Sequence, residues 1–217
     1  MTGNRFETLP WNVLGVWENH NKLEVIDLSN NGIKEIQGKS FHKLTNVKRL
    51  ILNHNDLFVV SNPRVFSNFV NLEELHLTNA FTEQIDSKWY LSDLKDIILE
   101  SELTKLKKLH LEQNEIWEIK DPDMFCQLPE LLDLHLSDNQ LTDINFSLEC
   151  LRKLRYLDLE FNKTLNPQKR GYEMLKTLIT ILRKKLSDDH GVEIAETEYL
   201  CLEASDAQKF SVHVIFT

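Results

Sequence analysis

Glycine is scarce in this chain, and the motifs that depend on it are missing. Only six of the 217 residues are glycine. Neither G-x-x-x-x-G-K-[ST] nor G-x-G-x-x-G occurs, which excludes the common loops that cradle phosphate groups. G-x-S-x-G and H-E-x-x-H are absent as well, so no hydrolase or zinc-protease motif is present. The sequence therefore predicts a protein that is not an enzyme and that carries no cofactor or metal.

Long hydrophobic runs are also missing, and cysteine is rare. No stretch of 18 apolar residues occurs, so we expect no membrane-spanning helix. The three cysteines, Cys126, Cys150 and Cys201, are widely spaced and odd in number, which fits neither a disulfide scaffold nor a zinc motif. We expect Cys126 and Cys150 to act as small buried hydrophobic residues; a single bridge is the alternative.

Basic residues are fewer than acidic residues in this chain. The chain has 25 Lys and Arg residues against 34 Asp and Glu residues, which gives a formal net charge of −9. An acidic surface disfavours nucleic acids and anionic membrane surfaces. We therefore expect neither as a partner, although the charge would also serve solubility alone.

A repeated motif fills most of the chain. The motif L-x-x-L-x-L, with Ile or Val in place of one leucine in the first two copies, occurs six times, with steps of 24, 25, 34, 25 and 23 residues. The copies begin at Leu23, Val47, Leu72, Leu106, Leu131 and Leu154. This period and motif are the signature of leucine-rich repeats. The sequence thus predicts an α/β solenoid, a horseshoe with a parallel concave β-sheet whose leucines point inward.

The repeats are predicted to occupy residues 1–166. Asn4, Phe6 and Leu9 match the second half of a repeat. The first residues also lack an apolar signal segment. We therefore expect the chain to begin inside a partial first copy, as a fragment would.

The predicted C-terminal flank covers residues 167–217. Apolar residues recur at three- and four-residue steps over 172–186, which predicts an amphipathic helix. We expect this helix to form a C-terminal helical cap over the last repeat, with a membrane-surface helix as the alternative. Two strand-like stretches, 192–202 and 210–216, follow.

Asparagine follows the last leucine of the motif in five of the six copies. The chain must turn out of the sheet there, which leaves backbone groups without partners. Because a buried amide is tolerated only when it is hydrogen-bonded, we expect these side chains to form a structural ladder. The predicted ladder consists of Asn31, Asn55, Asn114, Asn139 and Asn162.

The third copy departs from the pattern. Ala80 replaces its asparagine, and the step to the next copy is 34 residues. Leu91, Leu94 and Ile98 have helical spacing, which predicts a short helix. Trp89 and Tyr90 are expected to cover the core at this interruption. A protruding recognition loop is the alternative.

The outward positions of the strands carry three consecutive histidines. Between the paired leucines the residues are, in order, Asp27, Ile51, His76, His110, His135 and Asp158. We predict that a protein ligand or receptor binds this concave face and contacts Asp27, His54, His76, His110, Glu112, His135, Asp158 and Glu160. An ordinary polar surface and a chance metal site are the alternatives.

Two N-x-[ST] sequons occur, at Asn145 and Asn162. Asn162 belongs to the predicted ladder and should be inaccessible. Asn145 is therefore the glycosylation candidate, provided that the chain enters the secretory route. Phe41, Phe66 and Phe125 share a late repeat position, and a 24-residue repeat with this phenylalanine is typical of extracellular proteins.

The order of these features resembles the trophoblast glycoprotein family of cell-surface leucine-rich-repeat proteins. The resemblance runs from Thr2 to about Asn166 and includes Leu28-Ser29-Asn30-Asn31, together with the long irregular copy after Leu77. It implies a cell-surface or extracellular location, N-glycans and a role in dampening Wnt signalling. Membrane association would then require segments that are missing from this chain.

The C-terminal flank departs from that family. After Asn166-Pro167 the family has closely spaced cysteines, whereas this chain continues with Gln168-Lys169-Arg170-Gly171. The missing cysteines favour a different interpretation, a cytoplasmic adaptor or scaffold with the same fold. Both interpretations describe a protein-binding module.

Overall fold

The structure is a computed structural model of the chain. It describes residues 2–57, 64–81, 94–95, 97–142 and 144–162, together with the strand His213–Ile215. The part of the flank that contains the predicted helix 172–186 lies outside these residues, as do Trp89, Tyr90 and Cys201.

The central feature is a seven-stranded sheet that follows the order of the repeats. Its first six strands are parallel. They are β2 (Val25–Asp27), β4 (Arg49–Ile51), β5 (Glu74–His76), β6 (Lys108–His110), β7 (Asp133–His135) and β8 (Tyr156–Asp158). Two further short strands, β1 (Thr8–Leu9) and β3 (Glu35–Ile36), pair in parallel in a second sheet. The predicted leucine-rich-repeat solenoid with a parallel sheet is confirmed.

The leucines of the motif form the core. The central residue of each of the six parallel repeat strands points inward, and Leu50, Leu75, Leu109 and Leu134 are completely buried. Their neighbours along each strand point outward because side chains alternate across a strand. The repeat thus places equivalent outward residues of successive copies side by side on the concave face.

Phenylalanines fill the convex side of the first repeats. The ring centroid of Phe41 lies 6.1 Å from that of Phe66 and 4.8 Å from that of Phe69. Phe125 instead packs edge-on against Phe146 at 5.2 Å. All but Phe146 are at most 1% exposed, so these rings connect neighbouring repeats.

Helical structure is sparse among the described residues. Two 3₁₀ helices cover His20–Lys22 and Met124–Gln127. In the long third copy, residues 94–95 and 97–100 are α-helical, and Leu94, Ile97 and Ile98 are buried. This agrees with the predicted short helix. Within the described ranges, no helix has the length and apolar composition needed to cross a bilayer.

The last strand of the sheet breaks the parallel order. β9 (His213–Ile215) pairs antiparallel with β8, and Asp158 lies opposite His213. It covers the edge that the last repeat would otherwise leave open, and open edges invite unwanted pairing. The sequence placed a strand in this region but did not predict its partner.

Cys126 and Cys150 correct one prediction. They are not separate buried hydrophobic residues, because a disulfide joins them with 5.2 Å between their Cα atoms. The bridge was the alternative, and their separation of 24 residues is one repeat length. That spacing places the two cysteines at equivalent positions of neighbouring repeats, and therefore side by side. The sequence thus contained a signal for the bridge.

Candidate functional site on the concave face

Buried asparagines hold the backbone at the rim of the concave face. The Oδ1 atom of Asn139 accepts hydrogen bonds from the backbone N–H groups of Asn114 and Ile116, both at 3.0 Å. Its Nδ2 atom donates to the carbonyl oxygens of Leu111 and Leu136. All five ladder residues are buried, with exposures of 2–6%: Asn31, Asn55, Asn114, Asn139 and Asn162. Each side chain therefore connects two successive repeats.

The third repeat has no ladder asparagine of its own, but the asparagine of the fourth repeat still connects the two. The backbone N–H of Ala80 donates to Asn114 Oδ1 at 2.9 Å, and Asn114 Nδ2 donates to the carbonyl of Leu77. At the other end, the N–H of Asn4 donates to Asn31 Oδ1. The partial first copy therefore takes part in the same arrangement.

The residue before each ladder position has a left-handed backbone. The φ angles lie between 46° and 57° at Asn30, His54, Asn79, Gln113, Asp138 and Phe161. The positive φ turns the chain out of the sheet. His54 is therefore an exposed turn residue, bonded through its Nδ1 to Asn79 Nδ2 at 3.3 Å, and it lies outside the histidine column on the strands.

The three predicted histidines stack in one column. Strand register places His76 beside His110, and His110 beside His135. The ring centroids are 4.2 and 4.1 Å apart, with interplanar angles of 9° and 12°. Their side chains are 18–20% exposed, so the imidazoles are partly desolvated and held in a fixed row.

Glu112 lies at the centre of this column. Its Oε1 atom is 2.8 Å from His110 Nδ1 and 3.7 Å from His135 Nδ1. Its Oε2 atom accepts a hydrogen bond from Thr78 Oγ1 at 2.8 Å. One carboxylate therefore faces two imidazoles from neighbouring strands, and Thr78, two residues after the end of β5, orients it.

Acidic residues lie at both ends of the column. Asp27 accepts hydrogen bonds from the N–H and Oγ of Ser29, and Ile51 separates it from His76. At the other end, Asp158 Oδ2 is 3.8 Å from His135 Nδ1. The N–H of Glu160 donates to Asp158 Oδ1.

A second outward row lies two residues before the histidine column on each strand. It adds residues that were not among the predicted site residues. Arg49 pairs with Glu74 through two hydrogen bonds, and Glu74 Oε2 is 3.4 Å from His76 Nε2. The ring of Tyr156 lies 4.8 Å from that of His135. Period-two alternation could have identified them, because they share the outward face with the histidines.

The surroundings shift several pKa values. Burial lowers the pKa of His76, and the nearby His110 lowers it further, against the opposing effect of Glu74. The hydrogen bond from Arg49 holds the pKa of Glu74 below its usual value. Burial and the charge of Asp158 raise the pKa of Tyr156. Neutral His76 beside ionised Glu74 is therefore the favoured state at neutral pH.

The two sequons differ in accessibility. Asn145 is exposed on the convex side, whereas Asn162 is buried and donates to the carbonyl oxygens of Leu136 and Leu159. A glycosyltransferase must reach the amide nitrogen, which in Asn162 is already bonded. Glycosylation of Asn145 stays a prediction.

Comparison with known protein families identifies the family to which this chain belongs. A leucine-rich-repeat family model matches residues 21–80 and 104–163. The chain belongs to the leucine-rich-repeat family. The two matched segments contain the leucine motifs of all six copies and every residue of the histidine column, and the gap between them falls in the long third copy.

Two solved structures share this fold. Human 5T4, described as Wnt-activated inhibitory factor 1 and trophoblast glycoprotein, superimposes with a TM-score of 0.61 at 25% identity. The alignment covers 71% of this chain and 56% of that one. TLR13, solved in complex with ssRNA13, gives a TM-score of 0.55 at 22% identity over 82% of this chain and 28% of that one. The resemblance to trophoblast glycoprotein is thereby confirmed.

Curated relatives come from a different class of protein. The DNA-directed primase/polymerase proteins of Homo sapiens and Gallus gallus are 43% and 39% identical to this chain over 61 residues. These residues are 28% of this chain and 11% of each relative. The chain thus matches only a small part of those proteins.

Proposed function

We propose that this leucine-rich-repeat module binds a protein through its concave face, at the column from Asp27 to Asp158. The observation that carries the proposal is the row of stacked, half-buried imidazoles flanked by ion-paired Arg49 and Glu74 and by Tyr156. These side chains stand on short strands, so little conformational entropy is lost when a ligand orders them. Tyrosine and arginine are also enriched where interfaces bind tightly.

We infer further that the module acts outside the cell, as part of a cell-surface protein that modulates signalling. The likeness to 5T4, which is also named Wnt-activated inhibitory factor 1, supports this. The Cys126–Cys150 disulfide also supports it, because disulfides persist mainly in oxidising compartments. A cytoplasmic adaptor would have to keep the same bridge in a reducing environment.

The test is a comparison of captured proteins. Immobilised wild-type chain should retain a membrane or secreted protein that a triple His76→Ala, His110→Ala, His135→Ala variant loses. The purified partner should then bind the triple variant roughly 10-fold or more weakly, a loss of about 1.4 kcal/mol.

The matched control alters an exposed ion pair away from the column. Lys153 Nζ contacts Glu130 at 2.6 Å, and both side chains are at least 40% exposed. A double Glu130→Ala, Lys153→Ala variant should keep full affinity. Equal affinity of the wild-type chain and the triple variant, with equal unfolding midpoints, would place the binding site elsewhere.

A second candidate function rests on the primase/polymerase match. We propose that the flank 167–217 is a part of the chain separate from the repeats and that it binds nucleic acid. Two observations support this: the repeat model stops at residue 163, and β9 runs against the repeat strands. Residues 163–217 contain eight basic and eight acidic side chains, so the net negative charge lies on the repeats.

Charge reversal in the full chain tests this candidate. Wild-type protein should bind a labelled primer–template DNA, as measured by fluorescence anisotropy at low salt. The triple Arg183→Glu, Lys184→Glu, Lys185→Glu variant should bind more weakly, with the slope of log affinity against log salt reduced by roughly 2–3. Absence of DNA binding by the wild-type chain would eliminate this function and leave the protein-binding proposal intact.

A further inference from the structure

Three metal-ligating atoms converge between strands β6 and β7. His110 Nδ1, a Glu112 carboxylate oxygen and His135 Nδ1 all lie within 4.8 Å of one another. Both imidazoles direct the same nitrogen at Glu112 Oε1, at 2.8 and 3.7 Å. Among the described residues, the chain brings no other His/Cys/Asp/Glu set of three together in this way.

To hold an ion, the three ligand atoms must draw together from within 4.8 Å of one another. Ligand atoms around a tetrahedral zinc ion, each at about 2.0–2.1 Å from the metal, are roughly 3.3 Å apart. The shortest of the present distances is already below that value, and the 3.7 Å distance is close to it. Rotation about side-chain torsions can supply the remainder, since the three side chains are 17–19% exposed.

Neighbouring groups orient the carboxylate. Thr78 Oγ1 donates to Glu112 Oε2 at 2.8 Å, which leaves Oε1 directed at the imidazoles. Such second contacts fix the ligand atoms of metal sites and raise metal affinity. The rings of His110 and His135 stack at 4.1 Å with planes 12° apart. Because an imidazole nitrogen binds a metal in the plane of its ring, both rings must turn about their side-chain torsions to reach one ion.

We propose that His110, Glu112 and His135 form a binding site for a single divalent first-row transition ion, with zinc as the ion bound. Two imidazoles and one carboxylate suit zinc and its neighbours, whereas magnesium and calcium prefer oxygen ligands alone. Three protein ligands leave one tetrahedral position open toward the concave face. The site stands independently of the protein-binding proposal, since it needs no partner.

Metal titration of the full chain tests the site. The chain carries Cys201→Ser throughout, so that no free thiolate contributes. Calorimetry should show one zinc ion bound per chain, and cobalt should give the intense visible absorption of a tetrahedral complex. Glu112→Gln and His135→Ala should each abolish the cobalt spectrum. Thr78→Val should keep it and weaken zinc binding roughly 10- to 100-fold.

His54→Ala is the matched control, because His54 is exposed in a turn outside the column. It should bind zinc like the parent chain. Unfolding curves of all variants without metal establish that they are folded. Equal zinc binding by the Glu112→Gln and His54→Ala variants, or an octahedral cobalt spectrum for the parent chain, would overturn the proposal.

Discussion

Replacing Phe41 with alanine should destabilise the chain by about 3–5 kcal/mol. Phe41 is completely buried and contacts the rings of Phe66 and Phe69. The substitution removes apolar surface from the core and leaves a cavity between two repeats, which the stacked architecture closes only in part. Urea unfolding followed by circular dichroism should show the loss as a lower midpoint.

Phe6→Ala is the control for this substitution. Phe6 is 40% exposed, so the same change of side chain should cost less than about 1 kcal/mol. Similar losses for both variants would mean that the convex phenylalanines do not hold the repeats together.

The second large effect is expected at Asn139, where alanine should cost roughly 1–3 kcal/mol. The substitution leaves the buried N–H groups of Asn114 and Ile116 without their acceptor and removes the donor to the carbonyl of Leu111. Because Asn139 belongs to the fifth copy and these partners belong to the fourth, we expect the loss to lower the stability of both. Thermal and urea unfolding provide the measurement.

Gln140→Ala tests whether any alanine substitution at this point of the chain would cause the same loss of stability. Gln140 follows Asn139 directly, and its backbone N–H donates to the carbonyl of Ile116, a bond that the alanine variant retains. The unfolding midpoint of Gln140→Ala should stay close to that of the wild-type chain. Matching losses at the two positions would contradict the assigned role of the asparagine.

The repeat made much of the site predictable. Every copy opens with the same leucine motif, so equivalent residues occupy the same position in each strand although the steps range from 23 to 34 residues. The column from Asp27 to Asp158 followed from aligning these motifs. The same alignment places Arg49, Glu74 and Tyr156 on the outward face, although they were not among the predicted site residues. It also places Cys126 and Cys150 at equivalent positions of neighbouring repeats, which favours the bridge that was predicted only as the alternative.

Other features depend on geometry that a repeat does not encode. Nothing in the spacing of Glu112 shows that its carboxylate turns toward His110 and accepts a bond from Thr78. The direction of the carboxylate depends on the side-chain rotamer that Glu112 adopts on the folded sheet. The pairing of β9 with β8 joins segments more than 50 residues apart, and no local pattern specifies such a partner.

The direction of β9 limits how this array could lengthen by gene duplication. A duplicated repeat would enter the sheet as a strand parallel to its neighbours, like β2 and β4 to β8. β9 lies antiparallel beside β8, so a copy inserted directly after β8 would have to displace it. A copy inserted between earlier repeats would leave the pairing of β8 with β9 intact, so this fold favours lengthening inside the array over lengthening at its C-terminal end.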